Sequence, residues 1–190
     1  DGGMTLRGNG KLHGTGQVKL GQSTWTSNTT GAIFDVFDTS KYSHYVVYWG
    51  VSHGPNWDMA RLRFRTSGGD ITGNNYYNNC SWKNAVINGT PSHNQSYAGQ
   101  QTYAWLAGNG TAYASHGFAF ITIPQGGWMD RASVRGISQL QNRGGSDHYE
   151  ESFASTLNHV DPDTTITGVH LYGSGGNAGY GEFTIFGIER

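Results

Sequence analysis

The sequence predicts an all-β protein, an antiparallel β-sandwich, and three observations carry that expectation. Short bursts of Val, Ile, Tyr, Phe and Trp alternate with clusters of Gly, Ser, Thr and Asn, the pattern of many short strands joined by turns. Glycine fills 30 of the 190 positions, and charged residues make up 13% against about 25% in an ordinary soluble domain. Aromatic residues make up another 13%, the opposite of a disordered chain, which combines few aromatics with high charge. A chain of this length suffices for one domain with its own core.

The first twenty residues differ from the rest. Leu6-Arg7-Gly8-Asn9-Gly10-Lys11 is followed by Leu12-His13-Gly14-Thr15-Gly16-Gln17 and a degenerate Val18-Lys19-Leu20-Gly21, an L-x-G-x-G-x unit in two copies and part of a third. Residues 1–24 are therefore read as a Gly-rich extended segment, and residues 25–190 as the sandwich domain. Short repeats that bury no face alone bury it against neighbours. Leu6, Leu12 and Val18 are the expected contacts of a stem or oligomer, and a flexible Gly-rich leader is the other reading. The N-terminus lacks the charged and apolar regions of a signal peptide. Met4 is a candidate start, preceded by Asp1-Gly2-Gly3.

The strands follow in order. Ala32–Phe37 and Tyr45–Val51 are nearly continuous apolar runs, suited to strands packed in a sandwich, with Asp38-Thr39-Ser40-Lys41 as the turn between them. Ala60–Arg65 alternates strictly, placing Ala60, Leu62 and Phe64 on one face and Arg61, Arg63 and Arg65 on the other. Asn74–Gly110 is rich in Asn, Gly, Ser and Tyr and reads as long loops with short strands. Gly117–Ile123 is a further strand, stopped by Pro124. Tyr149, Phe153 and Leu157 fit a helix face or a strand face, and Asp147-x-x-Glu150 resembles a helix-start box. Strand is preferred, because no other helical signal surrounds it. Thr165–Tyr172 and Tyr180–Ile188 close the chain as a hairpin around Gly173–Asn177.

Composition narrows the function classes. A net charge of −1 argues against binding nucleic acid by phosphate neutralisation. The single cysteine, Cys80, makes no intrachain disulfide, and no apolar stretch approaches the roughly 18–20 residues that span a bilayer. The eight histidines are scattered, without H-x-H, H-E-x-x-H or Cys/His spacing, so no metal and no cofactor is expected. Nor is there a G-x-S-x-G, P-loop or dinucleotide fingerprint. Glu150 and Glu151, adjacent in a strand, point to opposite faces, and Glu182 reads as a solvent-facing glutamate. No catalytic residue is assigned, and a non-enzyme is expected.

Surface chemistry says more. Tyr76, Tyr77, Trp82, Tyr97, Tyr103, Trp105, Tyr113 and Trp128 lie among Asn, Gln and Ser. Their flat rings suit stacking on sugars or packing on protein, and filling the core is the competing reading. Tyr76, Tyr77, Trp82, Tyr97 and Trp128 are taken as candidate binding residues. The Arg61/Arg63/Arg65 stripe joins them as a partner for acidic sugars or carboxylates, against the alternative of a solvated outer face.

Several of these motifs resemble a β-sandwich module of tailed-bacteriophage structural proteins. Phe37-Asp38-Thr39-Ser40-Lys41-Tyr42-Ser43-His44-Tyr45-Val46-Val47 is similar to its F-D-x-S-x-Y-x-x-Y-x-V opening. An L-R-F-R strand (Leu62–Arg65), Ser67-Gly68-Gly69 and the Tyr76-Tyr77 pair follow, as in that module. Ile166–Tyr172 and Gly181–Ile188 look like its terminal hairpin. The resemblance covers residues 25–190, with 90–135 matching only in character. It implies a jelly-roll-like sandwich in a tail-fibre, tail-tip or head-decorating protein of the virion, often trimeric, with no catalytic residues. The expected function is therefore a virion structural protein that attaches to the host surface or to the particle. Its expected partners are its own copies in a homotrimer, other virion proteins and a host surface glycan. A carbohydrate-binding domain unrelated to a virion and a β-sandwich glycoside hydrolase are the alternatives.

Overall fold

A computed structural model describes residues 16–26, 31–53, 60–86, 92–106, 112–124, 131–142, 147–158, 164–173 and 178–189. Within them run thirteen strands and no helix. They are β1 (Gln17–Trp25), β2 (Gly31–Phe34), β3 (Tyr42–His53), β4 (Ala60–Thr66), β5 (Gly69–Asp70), β6 (Tyr76–Val86) and β7 (Ser92–Gln101), then β8 (Ala104–Trp105), β9 (Ala112–Thr122), β10 (Ser133–Asn142), β11 (Asp147–Leu157), β12 (Gly168–Gly173) and β13 (Ala178–Glu189). The larger sheet has eight strands in the order β1-β13-β3-β9-β10-β11-β6-β7. The smaller is ordered β2-β12-β4-β5, with β8 also paired to β4. All pairings are antiparallel. The chain passes back and forth between the layers, so most neighbouring strands are distant in sequence. The architecture is an antiparallel β-sandwich.

Alternation places the core. From the larger sheet Tyr45, Val47, Trp49, Ile121, Val134, Phe153, Phe183 and Ile185 point inward and are buried. They meet Phe34, Leu62, Phe64, Val169 and Leu171 of the smaller sheet in one hydrophobic cluster. Two glycines let the large rings in. A Cβ on Gly117 would lie 2.7 Å from Trp49 Cζ2, and one on Gly136 would lie 2.8 Å from Phe153 Cζ and 2.1 Å from the Phe118 carbonyl. Glycine inside a strand here marks a close approach.

The predicted turn at Asp38 forms. Lys41 and Tyr42 both donate backbone N–H groups to the Asp38 carbonyl, at 3.1 and 3.0 Å. The Asp38 carboxylate takes the Ser40 N–H and hydroxyl and pairs with Lys41 Nζ at 2.9 Å. Those bonds from Ser40 and Lys41 hold its pKa down to about 2.

Three readings change. The expected terminal hairpin does not form, because β12 belongs to the smaller sheet and β13 to the larger. Asn74–Gly110 holds two long strands, β6 and β7, in place of long loops. Its polar residues hid the alternation because Asn78, which points into the core, is satisfied there: its side chain donates to the Tyr103 carbonyl at 3.0 Å and accepts from Trp105 N–H at 2.9 Å. The segment at Tyr149–Leu157 is strand, as preferred, with Phe153 and Leu157 buried and the helix-start box unused. The sandwich also begins earlier than residue 25. β1 is an edge strand paired to β13, Val18 opposite Gly187, so the degenerate third repeat belongs to the sheet. Leu6 and Leu12 lie outside the described residues.

Candidate binding surfaces

The strict alternation of β4 sends Arg61, Arg63 and Arg65 to the outer face of the smaller sheet, as predicted, but they do not stand free. Arg65 is held by two carboxylates: its Nε donates to Asp35 at 2.8 Å and its Nη1 to Asp70. The other Asp70 oxygen faces His170 Nδ1 at 2.7 Å, with Arg63 Nη1 at 3.8 Å. Burial raises the pKa of Asp70, yet the bonds and charges of His170 and Arg65 outweigh it and hold it below the usual carboxylate value. Arg63 Nε donates to the Thr102 carbonyl at 3.0 Å. Its guanidinium lies 4.9 Å from the Tyr172 ring centre, and that of Arg61 lies 3.8 Å from the ring centre of Tyr103. The stripe is an organised polar lattice across β5, β4 and β12.

The aromatic candidates divide. Tyr76 is fully buried, so it serves the core and offers no ring to a partner. Its hydroxyl accepts the Phe64 N–H and donates to the Ile71 carbonyl, both at 3.0 Å, linking the larger sheet to β4 and the segment after β5. Burial lifts its phenol well above the ordinary range. Tyr77 is half-buried on the opposite side of β6. Trp82 sits in β6 opposite Asn94, and Tyr97 in β7 opposite Asn79; their side chains, and all of Trp128, lie outside the described residues.

A surface that the sequence reading missed lies on the outer face of the larger sheet. Register sets two rows side by side. One runs Phe186–Val46–Phe120 across β13, β3 and β9, and the next runs Tyr48–Phe118–Ile137 across β3, β9 and β10. Tyr48, Phe120 and Ile137 are 42%, 40% and 43% exposed, although each is large and apolar. The rings touch in sequence: Tyr48 with Phe186 at 5.7 Å and Phe118 at 6.2 Å, and Phe118 with Phe120 at 5.9 Å between centres. Val46 is completely buried although it points away from the sandwich interior. The exposed Lys19 and Arg135 flank the first row, opposite Phe186 and Phe120. Six positions on strands about 4.8 Å apart, with same-face residues about 6.8 Å apart, give an apolar patch on the order of 200 Å². The signal was present. Tyr45–Trp49 and Phe118–Ile121 are apolar at both parities, so both sides of those strands are apolar.

The acidic candidates are separated by the sheet. Glu182 is exposed and accepts from Gln22 Nε2 at 3.1 Å, and Glu150 is exposed on β11. Glu151 points inward, is buried, and accepts from the Ser138 hydroxyl at 3.2 Å. Near it Cys80 is buried, and burial, with the charge of Glu151, pushes its thiol up to about 12, which makes it inert as a nucleophile. Among the described residues no three His, Cys, Asp or Glu side chains gather into a metal-binding group. Nor is any helix there long and apolar enough to cross a membrane.

Comparison with known proteins adds no relative. No protein-family model, no curated protein and no solved structure matches the chain.

Proposed function

We propose that this chain is a structural protein of a bacteriophage virion, of the tail-fibre or head-fibre/decoration type, whose sandwich attaches to the host surface or to the particle. The virion reading rests on the motif resemblance at Phe37–Val47, Leu62–Arg65 and Gly181–Ile188. The observation that carries attachment is the ring cluster around Val46. Tyr48, Phe118, Phe120, Ile137 and Phe186, which share the outer face with the buried Val46, are poised to give up water on contact, at roughly 25 cal/mol per Å² of apolar surface. A patch of this size suits a weak single contact. Repetition in a homotrimer multiplies it, since linked weak contacts gain by effective concentration.

The test uses the purified chain and a Tyr48→Ser/Phe120→Ser double variant on a broad glycan array and on intact particles, with immunogold micrographs locating the protein. Binding by the parent chain, at least tenfold weaker in the variant, together with label on the virion, is the expected result. Absence of label from particles removes the virion assignment. Equal binding by parent and variant removes the ring cluster from attachment.

A further inference from the structure

Along β4 the supply of carboxylates runs out. Arg65 meets two, Asp35 and Asp70, and Arg63 meets one at 3.8 Å. Arg61 meets none among the described residues. Its partner across the ladder is Tyr172 of β12. Both carry a polar atom that the fold leaves unused. Arg61 Nε and the Tyr172 hydroxyl are shut off from water, and neither has a hydrogen-bond partner among the described residues. A buried donor without an acceptor is unfavourable, and a cation without a counter-charge more so. Here both occur side by side on the outward face of one sheet, beside a strand neighbour, Arg65, that is fully paired.

Charge narrows what completes this arrangement. Among the described residues Arg61 is one cation without a counter-charge, which calls for one anionic group, not a polyanion, and Asp35 and Asp70 repel a second negative charge on the Arg65 side. The planar guanidinium favours a carboxylate, which it grips with two parallel bonds. The surroundings are flat ring faces, Tyr103 over Arg61 and Tyr172 beside His170 at 4.9 Å. Such a surface suits a pyranose ring better than an extended acidic peptide.

We propose that the Arg61 end of the smaller sheet binds a saccharide bearing one carboxylate per recognised ring. The carboxylate pairs with Arg61 and accepts the Tyr172 hydroxyl. Tyr103, carried on the bend between β7 and β8, swings off Arg61 to admit it. A two-pronged, charge-assisted hydrogen bond replaces the half-buried cation–π contact and outweighs it. The site lies on the opposite outer face from the ring cluster and does not depend on it.

Calorimetric titration with sialyllactose and with trigalacturonate, against lactose and neutral galactose trimer, tests this in the parent chain and in Tyr172→Phe and Arg61→Lys. At least one acidic sugar is expected to bind ten times or more tightly than its neutral counterpart, and to weaken as salt rises from 50 to 500 mM (roughly the range over which screening removes an exposed pair). Tyr172→Phe is the decisive variant, because removing an unpartnered hydroxyl leaves melting unchanged or raised while affinity falls at least fivefold. Arg61→Lys keeps the charge, loses the fork, and is expected to bind at least tenfold more weakly. Failure of both acidic sugars to bind at millimolar concentration overturns the site. So does equal affinity for acidic and neutral sugars, undiminished binding in Tyr172→Phe, or equal competition by polyglutamate. Any of these results leaves the ring cluster of the larger sheet untouched, as Tyr48→Ser/Phe120→Ser run in parallel verifies.

Discussion

The two outer faces of this sandwich solve the problem of meeting water in opposite ways. On the smaller sheet Arg63, Arg65, Asp35 and Asp70 neutralise one another, and His170 bonds Asp70, in contacts of defined direction. On the larger sheet Val46, Tyr48, Phe118, Phe120, Phe186 and Ile137 cluster without any directional bond, sealing one valine and leaving their rims exposed. The first face gains from fixed geometry and loses when a partner is removed. The second gains in proportion to covered area, from whatever covers it. Stability is therefore expected to reside in the paired part of the polar face, and contact by area alone in the apolar one.

That contrast breaks most readily at Asp70. Asp70→Asn strips the counter-charge from Arg65 and Arg63 and alters the bond to His170, and a loss of about 2–3 kcal/mol is expected, read by urea unfolding at pH 7. The pH profile sharpens it. Because the folded-state pKa of Asp70 lies below its unfolded value, its contribution is complete above the ordinary carboxylate range near pH 4 and disappears as pH falls through the lower folded value. In Asp70→Asn that part of the acid dependence is flattened, and an unchanged profile would show that the lattice adds nothing to folding. Val46→Ala comes next, at about 1.5 kcal/mol for two buried carbons and the gap they leave; a loss near zero would mean the rings close over the space. Phe120→Ser is the smallest, under about 0.5 kcal/mol, since an exposed ring contributes little to folding, while retention on a hydrophobic column falls clearly. Cys80 gives an independent reading of all three. Its buried thiol reacts with disulfide reagents only through opening, so under fast reclosing the labelling rate rises about tenfold for each 1.4 kcal/mol lost. Fast labelling of the unmodified chain would contradict the tight core.

What was legible in the sequence follows from how pure each pattern is. Ala60–Arg65 alternates without exception and gave its strand, its inward face and its outward arginines at once. Tyr180–Ile188 and Gly117–Ile123 were equally plain as strands. β6 was not, because Tyr76 and Asn78 carry polar atoms into the interior and are satisfied by partners 5 to 27 residues away or on another strand. Periodicity of side-chain polarity carries no record of such partners. Tyr76 itself was assigned to the surface by its loop-like surroundings, whereas its hydroxyl found two backbone groups across the layers. The pairing of Arg65 with Asp35 and of Asp70 with His170 was hidden for the same reason: the partners lie 30 and 100 positions apart, and Asp70 meets His170 only when β12 docks on β4. The aromatic cluster is a different case. Its residues read plainly as strand formers, and a strand apolar on both sides presents one apolar side to the outside.

One pairing has a mechanical corollary. β1 and β13 are neighbours, and Glu189 N–H reaches the Gly16 carbonyl at 2.8 Å, so the polypeptide enters and leaves the domain at a single corner. Tension applied through flanking sequence on both sides would peel these two strands apart like a zip, one bond at a time, instead of shearing the whole ladder. Anything grafted on either side would hang from that same pivot, leaving both broad flanks of the domain clear of its tethers.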